Sequence, residues 1–258
     1  MKNYTDSRKK NAVLFMEEQG YSNTLGGKWT NGKPYDHILK IGKGQKKLNI
    51  ICEYNLLSGI DPDLFSSPHR FAHHLTSSQV MCYNFFRPLI GKDGALSEEL
   101  INILENRNIL IPHNCNCVFE ASNPIDNTSY DMAIGAATFE IKFTEYGFGK
   151  AKRDARHESK FDNVYKDLID KCKCLSCIPK IEVFLKYYQL FRNVIHIDNK
   201  SKYAVFIFPK RNKQCYKEFQ EFISMFIKDE FMENIQVWYW EDLLAGHEDS
   251  DFYKKYLR

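Results

Sequence analysis

Two short apolar segments separated by a glycine constrain this chain more than any other feature. Residues 130–143 read Tyr-Asp-Met-Ala-Ile-Gly-Ala-Ala-Thr-Phe-Glu-Ile-Lys-Phe. A turn expected at Gly135-Ala136-Ala137 makes the flanking pieces the two arms of a β-hairpin. Asp131 then lies before the turn about as far as Glu140 lies after it, so the two carboxylates sit side by side. Glu140 and Lys142 are two apart on one strand and point to the same face. Two carboxylates without a counter-charge repel, and one tends to hold its proton. A divalent cation resolves the conflict, and an oxygen ligand set suits Mg2+ or Mn2+. The Ile141 carbonyl is a further candidate ligand, and Lys142 would face a metal-bound water or a phosphate oxygen. Glu-x-Lys is also the pattern of a solvated, paired strand face. Here, however, Ala137-Thr-Phe139 and Phe143 embed the charges, and charges in apolar, β-prone segments need a reason.

The order of elements around the hairpin is equally specific. Cys115-Asn-Cys-Val-Phe-Glu120 reads as a strand. Apolar residues at helical spacing run from Ile181 to Ile197. Tyr203–Phe208 is a continuous apolar strand, the sign of burial on both faces. A helix over about Tyr216 to Phe231 and a strand over Gln236–Tyr239 follow, and Leu96–Leu104 reads as a short amphipathic helix. Ser77-Ser-Gln-Val-Met-Cys-Tyr-Asn-Phe-Phe86 starts another helix with Ser77 or Ser78 as N-cap. Its amides Gln79 and Asn84 read first as capping and packing groups, with a role in orienting water or substrate as the sharper alternative. A helix, three strands, a helix and a strand make an α/β domain with an αβββαβ core, a mixed central sheet flanked by helices.

This order, with Asp, a variable gap and Glu-x-Lys, resembles the PD-(D/E)xK nuclease superfamily. The segments 77–89 and Tyr188-Gln-Leu-Phe-Arg-Asn193 resemble two signatures of a bacterial restriction-endonuclease-like family. The resemblance implies that Asp131, Glu140 and Lys142 form an active site, with Glu120 as an extra acidic metal ligand and Gln189 on the helix behind it. Tyr130 stands where many such proteins carry Pro. The implied activity is Mg2+-dependent hydrolysis of DNA phosphodiester bonds, restriction- or defence-related. The alternatives are an inactive DNA-binding protein with this fold and a metal-stabilised partner-binding module.

Charge and cysteine placement refine the expectation. A net charge of +3 over 258 residues is too small to demand a nucleic-acid partner. Two basic runs stand out: one from Lys28 to Lys47 around Trp29, and one carrying Lys150, Lys152, Arg153, Arg156 and Lys160 just after the hairpin. Basic side chains near a metal would neutralise phosphates, and Arg192 suits bidentate phosphate contact. Five of eight cysteines fall in two clusters, Cys115/Cys117 beside His113, and Cys172/Cys174/Cys177. They are candidates for a structural zinc or an iron–sulfur cluster, or are plain reduced core thiols. Residues 1–68 are expected to form an N-terminal extension with a β-hairpin and a strand at Leu48–Cys52, and residues 69–258 the nuclease-like domain. No apolar run approaches membrane-spanning length, and the first ten residues lack a secretory apolar segment. A cytoplasmic protein is therefore expected, with a homodimer as the natural way to cut both strands.

Overall fold

The computed structural model describes residues 2–40, 49, 71–91, 93–112 and 114–258. Helix α1 (Lys2–Glu18) leads into a hairpin of β1 (Leu25–Lys28) and β2 (Pro34–Leu39). Helices α2 (Ser78–Phe86) and α3 (Glu98–Glu105) follow, each started by a serine: Ser77 accepts from the Val80 N–H, and Ser97 from the Leu100 N–H. Then come β3 (Cys117–Phe119), β4 (Met132–Ile134) and β5 (Ala137–Ile141). Helix α4 (Ala155–Lys160) continues through a π-helical turn into α5 (Lys166–Lys171), followed by α6 (Ile181–Lys186) and α7 (Tyr188–Val194). Strand β6 (Tyr203–Phe208), helix α8 (Lys213–Phe226), strand β7 (Ile235–Tyr239) and helices α9 (Trp240–Leu243) and α10 (Asp251–Tyr256) complete the chain. Among the described residues, no helix is long and apolar enough to cross a membrane.

Strands β3 to β7 form one mixed sheet in sequential order, antiparallel through β5 and parallel from β5 to β7. The α/β architecture with a five-stranded mixed sheet flanked by helices matches the sequence reading. Alternation along the strands divides the molecule into two cores. Met132, Ile134, Phe139, Ile141, Val205 and Ile207 face the side covered by α1, α2, α3 and α10. Ala204, Phe206 and Phe208 face α4 to α8. All six residues of β6 are buried, because the strand is central and covered on both faces. The expected boundary near Ser66-Ser67-Pro68, the strand Leu48–Cys52 and the lysines Lys43, Lys46 and Lys47 lie outside the described residues. Helix α1 places Ala12, Phe15 and Met16 in the same core as the sheet.

Several element boundaries differ from the sequence reading, each for a local reason. The third-strand region is shorter than Cys115–Glu120: Glu120 takes a left-handed φ of 52°, and from there the regular ladder gives way to separate contacts, the Glu120 N–H on the Asp131 carbonyl and a bridge between Ser122 and Ser129. The turn is confined to Gly135 and Ala136, with Ile134 paired to Ala137. Gly135 has a φ of 53°, which suits the tight reversal, and its bare Cα lets Cys115 approach. The helix expected over Ile181–Ile197 is broken at Tyr187 (φ −109°, ψ 34°). Its ladder is interrupted from outside: the Ala151 N–H takes the Leu185 carbonyl at 3.0 Å, and the Gln189 N–H turns to the Gly149 carbonyl at 3.1 Å. Helix α8 begins three residues before Tyr216, where Asn212 caps it by accepting from the Cys215 N–H at 3.1 Å. It stops where Ile227 turns extended, and a 3-10 segment spans Asp229–Asn234.

The second core is dominated by rings. Phe191 is fully buried and lies 5.2, 4.9 and 5.0 Å from the rings of Phe184, Phe222 and Phe226. Phe191→Ala should therefore lower unfolding free energy by about 3–5 kcal/mol in urea titrations. Val118→Ala, at a half-exposed edge-strand position, should change it by no more than about 0.5 kcal/mol.

Candidate active site

The register of β4 on β5 carries the site. Met132 pairs with Phe139 and Ile134 with Ala137, so the next step outward places Asp131 across from Glu140. With Met132 and Phe139 turned into the first core, Asp131, Glu140 and Lys142 share the opposite face. All three line one cavity of about 510 Å3 with Glu120, Gln189 and Arg192. The Asp131 Oδ2 accepts from the Ile141 N–H at 2.6 Å. The N–H and C=O of a strand residue leave on the same side, so the Ile141 carbonyl also faces Asp131. On the other side of β5, the Lys142 N–H donates to the Ile207 carbonyl at 2.8 Å and fixes the strand end to β6.

Glu140 and Lys142 form a buried ion pair. The Lys142 Nζ donates to Glu140 Oε1 at 2.6 Å, and both side chains are under 10% exposed. Asn193 on α7 donates to Glu140 Oε2 at 3.4 Å. Burial alone would depress the Lys142 ammonium, but Glu140, Glu145 and Asp131 outweigh it and hold its pKa above the usual lysine value. Among the described residues, Asp131 has no ion-pair partner of this kind. Burial pushes its carboxyl well above the usual range; Glu140 and Glu120 push the same way, against Lys142 and the Ile141 N–H. Burial also raises Glu120, where a hydrogen bond from Gln79 opposes it.

Helix α7 and the loop from Glu120 to Asp131 frame the cavity. Gln189 Oε1 accepts from the Gly149 N–H at 2.6 Å, and a side chain at Gly149 would collide with Gln189. Arg192 is held by Thr128 Oγ1 at 3.0 Å and the Asn127 carbonyl at 3.2 Å, over the Tyr188 ring. Thr128 in turn bonds Asp126, which is 1% exposed and sits 3.3 Å from His196. Despite burial, these hydrogen bonds bring the Asp126 carboxyl below its usual range.

Most of the remaining candidates lie elsewhere. None of Lys150, Lys152, Arg153 and Arg156 lines the cavity. The chain after Phe143 turns under α7, leaving Lys150 beside Glu218 and Arg153 paired with Glu158 and Glu182. Asn84 is a packing residue, donating to Tyr256 Oη at 2.8 Å. Gln79 lines the cavity. The sheet separates the cysteine clusters. Cys115 and Cys117 pack against the first core. Cys172 and Cys174 sit in the second, sulfurs 3.4 Å apart, and Cys177 is exposed. His113 lies outside the described residues. Among the described residues, the two thiol clusters lie in different cores and do not come together as one ligand set.

As the side chains stand, no three His, Cys, Asp or Glu groups among the described residues are arranged to hold a metal ion. The oxygen donors at the cavity nonetheless fit a hard divalent cation. Asp131, Glu140 and Glu120 line the same cavity, and burial and the neighbouring carboxylates push the Asp131 carboxyl up, the charge conflict that a cation relieves. Glu145 and Trp29 are among the cavity residues that the sequence reading did not assign. Glu145 lies beyond the strand and its Oε2 accepts from the Phe143 N–H at 2.7 Å. Trp29 arrives from the N-terminal hairpin, with no local signal linking it to the site. The contact of Asn193 with Glu140 follows from α7 crossing β5, which helical periodicity alone does not give.

Comparison with known proteins agrees with this frame. No curated protein and no solved structure matches the chain. A protein-family model described as restriction endonuclease associating with ARP matches residues 61–258, which include the whole five-stranded sheet. The chain belongs to that restriction-endonuclease family.

Proposed function

We propose that this protein is a divalent-metal-dependent endonuclease that hydrolyses DNA phosphodiester bonds at the Asp131–Glu140–Lys142 cavity. The observation that carries the reading is the convergence of two carboxylates and one lysine on one sheet face, in a chain of restriction-endonuclease family. Asp131, Glu140 and the Ile141 carbonyl would hold Mg2+ or Mn2+, with Glu120 as an outer acid. The cation would lower the pKa of a bound water and offset charge on the scissile phosphate. Lys142 carries its proton firmly, which suits it to stabilise charge developing on phosphate rather than to act as a base. Asn193 orients Glu140, and Gln189 steadies the wall through Gly149. Arg192, braced by Thr128 and Asn127, offers a planar contact for a neighbouring phosphate.

Incubation with plasmid, linear duplex and single-stranded DNA in Mg2+, Mn2+ or EDTA tests the reading. Cleavage should require a divalent ion, and Asp131→Asn, Glu140→Gln or Lys142→Ala should each reduce it by about 100-fold or more, in line with losing an electrostatic stabiliser. Undiminished cleavage by Lys142→Ala would reject the assignment.

Charge at Asp131 gives a second, activity-independent readout. A carboxyl whose folded pKa lies above its unfolded value, about 3.9, leaves stability intact below that pH. Stability is lost as pH rises through the folded pKa. Asp131→Asn should therefore unfold at a higher temperature than wild type near pH 7, with the gap closing below about pH 4. Mg2+ should raise the wild-type midpoint and leave that of Asp131→Asn almost unmoved. Equal midpoints of the two proteins across this range would contradict the charge imbalance.

A further inference from the structure

We infer that Trp29 is a nucleobase-stacking platform at the cavity, and that the substrate enters as a single-stranded or unpaired nucleotide rather than as intact duplex. The inference rests on the nuclease reading of the same cavity and names its substrate class.

Trp29 sits at the turn of the β1–β2 hairpin, where its backbone brackets the loop: its N–H donates to the Lys33 carbonyl and its carbonyl accepts from the Gly32 N–H, each at 2.9 Å. The hairpin is seated by β2, whose Leu39 N–H donates to the His73 carbonyl and whose His37 carbonyl accepts from the Leu75 N–H. That seat leads directly to Ser77 and α2, and so brings Trp29 to the cavity with Asp131, Glu140 and Lys142. The indole lies nearly parallel to Phe71, 5.1 Å away at 12°, and 4.5 Å from His74. It stays 36% exposed. Part of the indole is thus open beside a polar cavity.

A nucleobase covers it with matching chemistry. Bases stack on aromatic side chains whatever their sequence, while the backbone follows positive charge. Lys28 and Lys33 flank the tryptophan and are exposed, and Arg192 and Lys142 line the same cavity. About 510 Å3 holds a nucleotide-sized ligand. Paired bases in a duplex have their faces occupied by neighbours, so only an unpaired or extruded base can lie on the indole.

The other tryptophans, Trp238 and Trp240, are 4% and 0% exposed, so quenching of tryptophan emission by bound DNA reports on Trp29. The full chain in EDTA, where cleavage is stopped, is titrated with a short oligo(dT) strand and with a blunt duplex of equal length. Oligo(dT) should quench the emission and the duplex should quench it much less. By anisotropy of a labelled strand, Trp29→Ala should bind oligo(dT) about 10-fold more weakly, the loss of about one stacked base. Trp29→Phe should stay within about 3-fold of wild type. Equal quenching by strand and duplex, no quenching, or a folded Trp29→Ala that binds like wild type overturns the inference. The quenching result stands without any substitution, so poor folding of a variant cannot rescue it. The two readings also fail separately: metal-dependent cleavage without quenching sinks stacking alone, and quenching without cleavage in Mg2+ or Mn2+ sinks the nuclease reading alone.

Discussion

A charge brought into a protein interior has to be answered by another charge or by a proton, and the cavity is organised around that requirement. Strand β5 and the residue just past its end carry Glu140 and Lys142 on one face with little solvent, and they answer each other at 2.6 Å. Buried pairs of this kind add little to stability relative to apolar residues, because desolvation consumes much of the attraction. Their persistence on a rigid central sheet indicates a purpose other than holding the fold. Asp131 sharpens the point. It stands across the strand pair with its carboxylate on the Ile141 N–H, and its proton is held more tightly than a carboxyl in water would hold it.

The scaffold supplies orientation where it does not supply charge. Asn193 and Gln189 occupy successive turns of α7 and reach different parts of the cavity wall, one holding a carboxylate and the other a backbone N–H. Arg192 points to the loop between β3 and β4, where buried Asp126 organises Thr128 and His196. A loop is ordinarily the softest part of a sheet protein. This one is tied down at Asp126, whose buried carboxylate meets the Thr128 N–H, the Thr128 hydroxyl and His196 and whose backbone carbonyl accepts from the Lys160 ammonium, so Arg192 has a fixed support.

Much of this was legible in the sequence because it depends on period and order. The two-residue repeat of Glu140 and Lys142, the glycine of the hairpin turn and the unbroken apolar run of β6 are local properties, and each led to the correct element. The continuity of α6 and α7 was not legible. Their apolar spacing is that of one helix, and the break comes from Gly149 and Ala151, some forty residues upstream, competing for its hydrogen bonds. The placement of the Lys150–Lys160 run was not legible for the same reason: Lys150, Lys152, Arg153 and Arg156 do not line the cavity, while Lys160 reaches the Asp126 carbonyl of the loop that frames it. The cysteine clusters were readable as residues but not as neighbours, since only the tertiary fold puts the sheet between them. Trp29 belongs to this class too, being carried to the cavity by strand pairing with residues near position 74.

The break at Tyr187 has a mechanical consequence. Because the backbone at Gly149 and Ala151 replaces missing rungs of the helix ladder, the segment leaving Lys142 and the start of α7 are stitched into one body. Any displacement of the strand end is therefore felt at Gln189 and Arg192 together, and this side of the cleft moves as a block or stays still. Accommodation of ligands of different girth then falls to the opposite rim, where the hairpin tip is closed by its own short-range bonds and leans on neighbouring rings.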